Sequence, residues 1–263
     1  MAKEKNKLNP YLLFSIGAIL LVAAWLMRSF PILIFAALAP LMAIADHADE
    51  ENSWNKMELV GVALALGFWA GHVFATSSVI YAMIQSILFA LVFVLYAYVR
   101  FNLGSRLGKL PLVFFWLALE YVVLKSGQTS NATFLADSLA VKMDWIRWTG
   151  YTGYLGVSAW ILLANLFLYQ ALLNRGLQLP YLVVFCLVVA APIIYSYTLD
   201  DSGTIGRESM IQFYRGAVDT SLPASYVEKA EWTARTAAWI SVLIALFALV
   251  KSNTRKNDRS KKS

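Results

Sequence analysis

Apolar residues in this chain do not recur at the period of an amphipathic helix or strand. They come in long blocks separated by short polar stretches. The blocks run over Tyr11–Met27, Ser29–Ala45, Met57–Ala75, Ser77–Val99, Leu110–Leu124, Tyr151–Leu173, Leu179–Tyr197 and Ala234–Val250. Each is close to the ~20 residues that carry a helix across a ~30 Å hydrocarbon layer. The pattern predicts an all-α polytopic membrane protein of about eight transmembrane helices, read as one transmembrane domain over residues 1–263. The first, second and fifth blocks are at or below the usual length and call for tilt or local thinning. The second also admits a re-entrant reading, and seven is the alternative count.

Composition agrees: 59% of residues are hydrophobic and 14% charged, which a soluble core does not require. The formal charge of +6 reads as a topology signal. With eight spans both termini share a side, which then holds fourteen of the 22 basic residues, including Lys56, Arg100, Lys109 and the tail from Lys251; the other eight include Arg147, Arg207 and Arg235. The positive-inside rule then puts both termini and the loop 46–56 in the cytoplasm, with 125–150 and 198–233 outside it. The expected location is a bacterial-type cytoplasmic (inner) membrane. The basic residues fall in a start and a tail instead of on a folded face, so no nucleic acid is expected as a partner. A stop-transfer flank is the ordinary reading of that tail, and contact with anionic lipid the alternative.

The first block has a basic start but ends in Trp25, Leu26, Met27 and Arg28 where a cleavage site wants small residues, so it is expected to stay as an anchor. No zinc, P-loop or dinucleotide spacing occurs, and neither a metal nor a cofactor is expected. The single cysteine, Cys186, lies inside an apolar run. Hydrocarbon disfavours its thiolate, so it reads as a small hydrophobe on a packed helix.

Two motifs carry more information. One is Trp116-Leu-Ala-Leu-Glu120-Tyr121; the other runs from Trp145 through Trp148, Gly150, Gly153, Tyr154 and Gly156 to Ser158, followed by Trp160 and Asn165. In order, within eight spans, they resemble the Trp-x-x-x-Glu-aromatic and Gly-x-x-Gly-x-Ser motifs in the membrane domain of the apolipoprotein N-acyltransferase family. The resemblance covers perhaps 230 residues and is sharpest over about 60. It implies membrane phospholipid and lipoproteins as partners. Two departures stand out. Val123 takes the place of the family's arginine, and the loop 126–142 is rewritten where the family has a Gly/Pro-Trp-Leu-Gly segment. Between its last two spans the family carries a nitrilase-like domain with a Glu-Lys-Cys triad. This chain has 36 residues there, Thr198–Thr233, with no cysteine and no histidine. That is below the ~40 residues at which an unaided domain becomes hard to stabilise.

An acyl-enzyme needs a nucleophile, a base and oxyanion donors within reach of one another. The acids and hydroxyls of 198–233 read instead as a solvated loop, with a helix over Ala224–Arg235 running into the last span. No catalytic residue is expected. The candidate ligand-binding residues are Glu120, His72, Trp116, Tyr121, Trp148, Tyr154, Ser158 and Asn165. Glu120 and His72 lie about 6 to 8 Å inside their spans, at one depth. They read either as a polar pocket for a head group or a lipoprotein amine, or as a hydrogen bond fixing spans three and five. The aromatic group Trp145, Trp148, Tyr151, Tyr154 and Trp160 reads as an interfacial belt, with a substrate clamp as the alternative. Gly67-x-x-x-Gly71 reads as helix packing.

Three functional readings follow. The leading one is a scaffold that binds lipid or lipoprotein, or a protein partner with acyltransferase activity. The second is an enzyme of lipoprotein acylation acting through a separate catalytic subunit or an unrecognised site. The weakest is a transporter, for which Glu120, His72 and Gln85 are the only polar path.

Overall fold

The computed structural model describes residues 8–27, 30–50, 55–73, 79–103, 109–127, 132–174, 176–216 and 222–260. These residues form helices and connecting turns, with no strand among them, and the chain is an all-α polytopic membrane protein. Helix α1 (Pro10–Leu26) starts on an Asn9 cap, whose side chain accepts from the Tyr11 amide at 2.9 Å. A 3₁₀ turn (Pro31–Leu33) leads into α2 (Ile34–Ala37) and α3 (Ala39–Glu50), so the second apolar block is broken at Leu38. Next come α4 (Asn55–Val73), α5 (Val79–Leu103) and α6 (Leu110–Lys125). The short α7 (Thr149–Thr152) precedes α8 (Leu155–Tyr169), and α9 (Leu179–Ser196) follows. Two short helices, α10 (Arg207–Tyr214) and α11 (Ala224–Lys229), lead to α12 (Trp232–Ser260). Four segments are long and apolar enough to cross a membrane: Val79–Leu103, Leu155–Asn174, Leu179–Ser196 and Tyr226–Thr254. The others are shorter or less apolar; Pro10–Leu26 and Pro31–His47 are short apolar helices.

Inside a bilayer, helices gain little from burying apolar surface and associate through close packing and satisfied polar groups. Both devices are present. Gly67 and Gly71 of α4 lie against Leu21 and Trp25 of α1, so close that an added Cβ would meet them at 3.1 and 3.2 Å. Among the four long apolar segments the one containing α8 is the most enclosed, and α8 touches α2, α3, α6, α9 and α12, whereas α9 is peripheral with few buried residues. Cys186 is on α9 and is exposed, so it faces outward from the bundle and not into a packed helix contact as expected.

The break in the second block has two contributors, one of them Pro40, which has no N–H to give the Ala36 carbonyl. The carboxamide of Asn165, from the middle of α8, is inserted at the kink. Its Oδ1 accepts from the Leu38 and Ala39 amides at 2.7 and 3.0 Å, and its Nδ2 donates to the carbonyls of Ile34 and Ile161 at 2.8 and 2.9 Å. Every backbone group freed by the kink in an apolar surrounding needs such a partner.

At one end of the bundle one carboxylate gathers four elements. Asp46 of α3 pairs with Arg100 of α5 and, at 2.8 Å, with Lys109 at the start of α6, and it accepts the Tyr169 hydroxyl of α8. Lys109 also donates to the Met42 carbonyl at 2.8 Å and lies 4.2 Å over the Tyr169 ring. Part of the loop expected over 46–56, residues 51–54, and the final residues of the basic tail lie outside the described residues.

Candidate functional site: a buried polar layer under the loops

The end of the bundle opposite Asp46 is closed by the segment 132–146. The sequence reads it as part of an extracytoplasmic loop, yet Phe134, Leu135, Ala136, Leu139 and Ile146 are buried. The apolar stretch Ala132–Leu139 is what drives it inward. Non-helical backbone at that depth carries polar groups that water does not reach, and it is tolerated only where protein groups satisfy them. The candidate residues do this. Gln85 of α5 clamps Thr133, accepting from its amide at 3.0 Å and donating to its carbonyl. Glu120 of α6 is fully buried; its Oε1 accepts from the Leu135 amide at 2.8 Å and from the Trp116 indole at 3.1 Å. Ser158 of α8 accepts from the Ala136 amide at 3.1 Å.

His72 and Glu120 share a depth but are not bonded to each other. His72 Nε2 lies 3.4 Å from Gln85 Oε1 and 3.3 Å from the Thr133 hydroxyl. The dipping segment comes between the two, and each holds a different part of it. Trp116 completes the packing beneath them, with the Phe89 ring 4.4 Å away and Phe68 and Phe93 beyond. Tyr121 lies farther out, edge-on to Tyr214 of α10.

A second tier lies above. Asp137 caps its own turn by accepting from the Phe134 amide at 2.8 Å, accepts the Tyr154 hydroxyl at 2.8 Å and pairs with Arg207 of α10, which also donates to the Ala132 carbonyl at 2.6 Å. Burial pushes the Asp137 carboxyl above its usual range, and the Arg207 guanidinium, the Phe134 amide and the Tyr154 hydroxyl pull it back.

The segment between α9 and α12 is likewise no simple solvated loop. Ile205, Met210, Tyr226 and Glu231 are buried. Glu231 accepts from the Tyr154 and Leu155 amides at 2.6 and 2.7 Å and from the Tyr226 hydroxyl at 3.0 Å, placing a carboxylate where the dipole at the start of α8 favours it. Gly153, at φ +86°, makes the turn that aims those amides, and a Cβ there would lie 2.5 Å from the Glu231 carboxylate. The helix expected over Ala224–Arg235 therefore breaks at Glu231, whose own φ is +48°. Asp219 and Ser221, counted with that loop, lie outside the described residues.

The aromatic group divides. Tyr151 is exposed, as a belt residue would be, but Tyr154, Trp148 and Trp160 are buried. The Trp148 and Trp160 rings meet edge to face at 5.6 Å. Asn165 lies deeper, at the kink of the second block, apart from the loop layer. Sequence reasoning passed over Asp46, Thr133, Asp137, Arg207 and Glu231. For Asp137 there was a signal, since it stands inside the apolar stretch Ala132–Leu139. Glu231 carried none, because the backbone amides it answers are 76 and 77 residues away.

The comparisons point the same way as the motifs. The chain is similar to an apolipoprotein N-acyltransferase. That relative, from Chlorobaculum tepidum (strain ATCC 49652 / DSM 12025 / NBRC 103806 / TLS), is 23% identical over 194 residues, which cover 68% of this chain and 36% of the relative. The match thus spans little more than a third of the relative's length. No family model matches the chain, and no solved structure matches it significantly. Among the described residues no group of histidine, cysteine and acidic side chains is placed to hold a metal ion.

Proposed function

We propose that this protein is a membrane scaffold that binds phospholipid or lipoprotein and works beside an enzyme of lipoprotein acylation. One observation carries the reading. The polar groups that the sequence singles out at the loop end, Glu120, His72, Ser158 and Tyr154, are engaged with the backbone and side chains of a dipping segment and so hold that segment in place. An acylation site would need a nucleophile and a base facing each other with room for a carbonyl between them. The similarity to an apolipoprotein N-acyltransferase supports the lipid and lipoprotein side of the proposal.

The test has two arms. Expressed alone in bacteria depleted of their own apolipoprotein N-acyltransferase, the chain is expected not to restore N-acylation of lipoproteins. Purified gently in detergent, it is expected to retain phospholipid or lipoprotein, detected by native mass spectrometry. Restored acylation by the chain alone overturns the scaffold reading in favour of an enzyme. A purified chain free of both ligands overturns it outright.

The same proposal places the protein in a bacterial-type inner membrane with both termini cytoplasmic and the loop end outside, which the distribution of basic residues supports. A cysteine put at Ser209 of α10, in a Cys186→Ala background, is expected to react with an impermeant maleimide in intact spheroplasts. Reaction only after permeabilisation reverses the orientation.

A further inference from the structure

Helices α8 and α9 are held together yet do not close on each other. Two ties fix α9. Pro192 has no N–H, so it leaves the Val188 carbonyl one turn earlier without its helical donor, and the Trp160 indole of α8 fills that place at 2.6 Å. At the loop end the Ser196 hydroxyl accepts from the Arg147 amide at 2.8 Å, and the Arg147 guanidinium donates to the Leu199 carbonyl at 3.0 Å. Between these ties the facing positions are small, notably Gly156 and Ala159 on α8 and Ala191 on α9. The result is a groove of about 740 Å³.

Three features of the groove specify an occupant. Its walls are apolar and lie within two membrane-spanning segments, so the surrounding medium is hydrocarbon. Its rim, at the loop end, is made of Tyr151, Thr152, Tyr195 and Thr233, whose hydroxyl and aromatic groups suit the ester level of a lipid. From Tyr195 to Val184 it runs eleven residues of helix, roughly 17 Å at the usual rise. That is about half of a ~30 Å hydrocarbon layer, the reach of an acyl chain from a single leaflet.

We propose that the α8–α9 groove is a binding site for one acyl chain of a membrane phospholipid from the leaflet at the loop end. This site rests on the scaffold reading and gives it a location. Among the described residues no charged side chain lines the groove, and the nearby Arg147 is occupied by Asp144, Asp201 and the Leu199 carbonyl. Recognition is therefore of the chain and not of head-group charge.

The test uses the full chain in detergent with substoichiometric phosphatidylethanolamine bearing a diazirine on its acyl chain, irradiated and mapped by peptide mass spectrometry. Labels are expected on Leu163 and Leu187 at least fivefold above Leu243 and Phe247, which are exposed on α12. Phosphatidylglycerol carrying the same probe is expected to label equally. Ala191→Phe, which fills the groove from α9, should cut groove labelling at least fivefold and leave the melting temperature unchanged. Ala159→Leu does the same from α8 should the first variant fold poorly. Even labelling of α12 and the groove, or labelling that ignores both filled variants, overturns the site. So does concentration-dependent cross-linking of two chains through α9, or a co-purified lipoprotein that blocks the label. If phospholipid is retained but labels elsewhere, this site fails and the scaffold reading stands; if neither phospholipid nor lipoprotein is retained, both fail.

Discussion

Asp46→Asn is expected to lower the stability of the folded protein by about 3 to 5 kcal/mol, the usual consequence of removing one member of a buried ion pair. Asp46 is an acidic partner shared by Arg100 and Lys109, and all three side chains are largely shielded, Lys109 at 3% exposure. Asparagine keeps the shape but not the charge, so both cations lose the carboxylate they share in a site poor in water. The Tyr169 hydroxyl also loses a charged acceptor. Denaturant unfolding in detergent, followed by circular dichroism, measures the loss. Combining Asp46→Asn with Lys109→Gln is expected to recover part of it, because one of the two cations that shared the lost carboxylate is then gone; the two changes touch and will not be additive. If Asp46→Asn matches the parent within 0.5 kcal/mol (roughly the ordinary spread for surface positions), the cluster is not holding the four elements together.

The second large effect is expected at Glu120, where two substitutions separate a structural tie from a ligand pocket. Glu120→Leu leaves the Leu135 amide and the Trp116 indole without their acceptor in a fully buried place, at about 1 to 3 kcal/mol for each orphaned group. Glu120→Gln keeps an acceptor oxygen at the same reach and should be tolerated. The geometry predicts that the leucine variant yields much less folded protein, while the glutamine variant matches the parent in thermal stability and in retained lipid. Should both variants fold normally and both lose lipid, Glu120 is a charged pocket for an amine or a head group, and its contacts to Leu135 and Trp116 are incidental.

Much of the candidate site was legible as residue types and little of it as partnerships. Glu120, Ser158 and Asn165 are conspicuous because a polar side chain in an apolar block is costly unless something answers it. What answers each of them is backbone: the dipping segment for Glu120 and Ser158, the kink of the second block for Asn165. Backbone amides look alike at every position, so no residue pattern announces which of them will be left over. The expected bond between Glu120 and His72 shows the difficulty. Equal depth on two spans is compatible with contact, but Thr133 and Leu135 come between them.

The length and continuity of the apolar blocks determined by themselves that this chain is helical and membrane-embedded, since hydrocarbon leaves a helix as the way for a single segment to satisfy its own backbone. The glycine spacing on α4 likewise marked a close helix contact, and the structure makes α1 the partner. Only the tertiary structure decided that Asp46 and Glu231, two acids in stretches that read as loops, are buried joints. It also decided that Trp148, Tyr154 and Trp160 are packed inside and not spread along an interface, and that an apolar groove lies between α8 and α9. The reason is common to all of these. Whether a charged or aromatic side chain is solvated or enclosed depends on which distant segment folds over it, and that is settled by hydrogen bonds between groups dozens of residues apart, such as Glu231 with Tyr154 and Leu155.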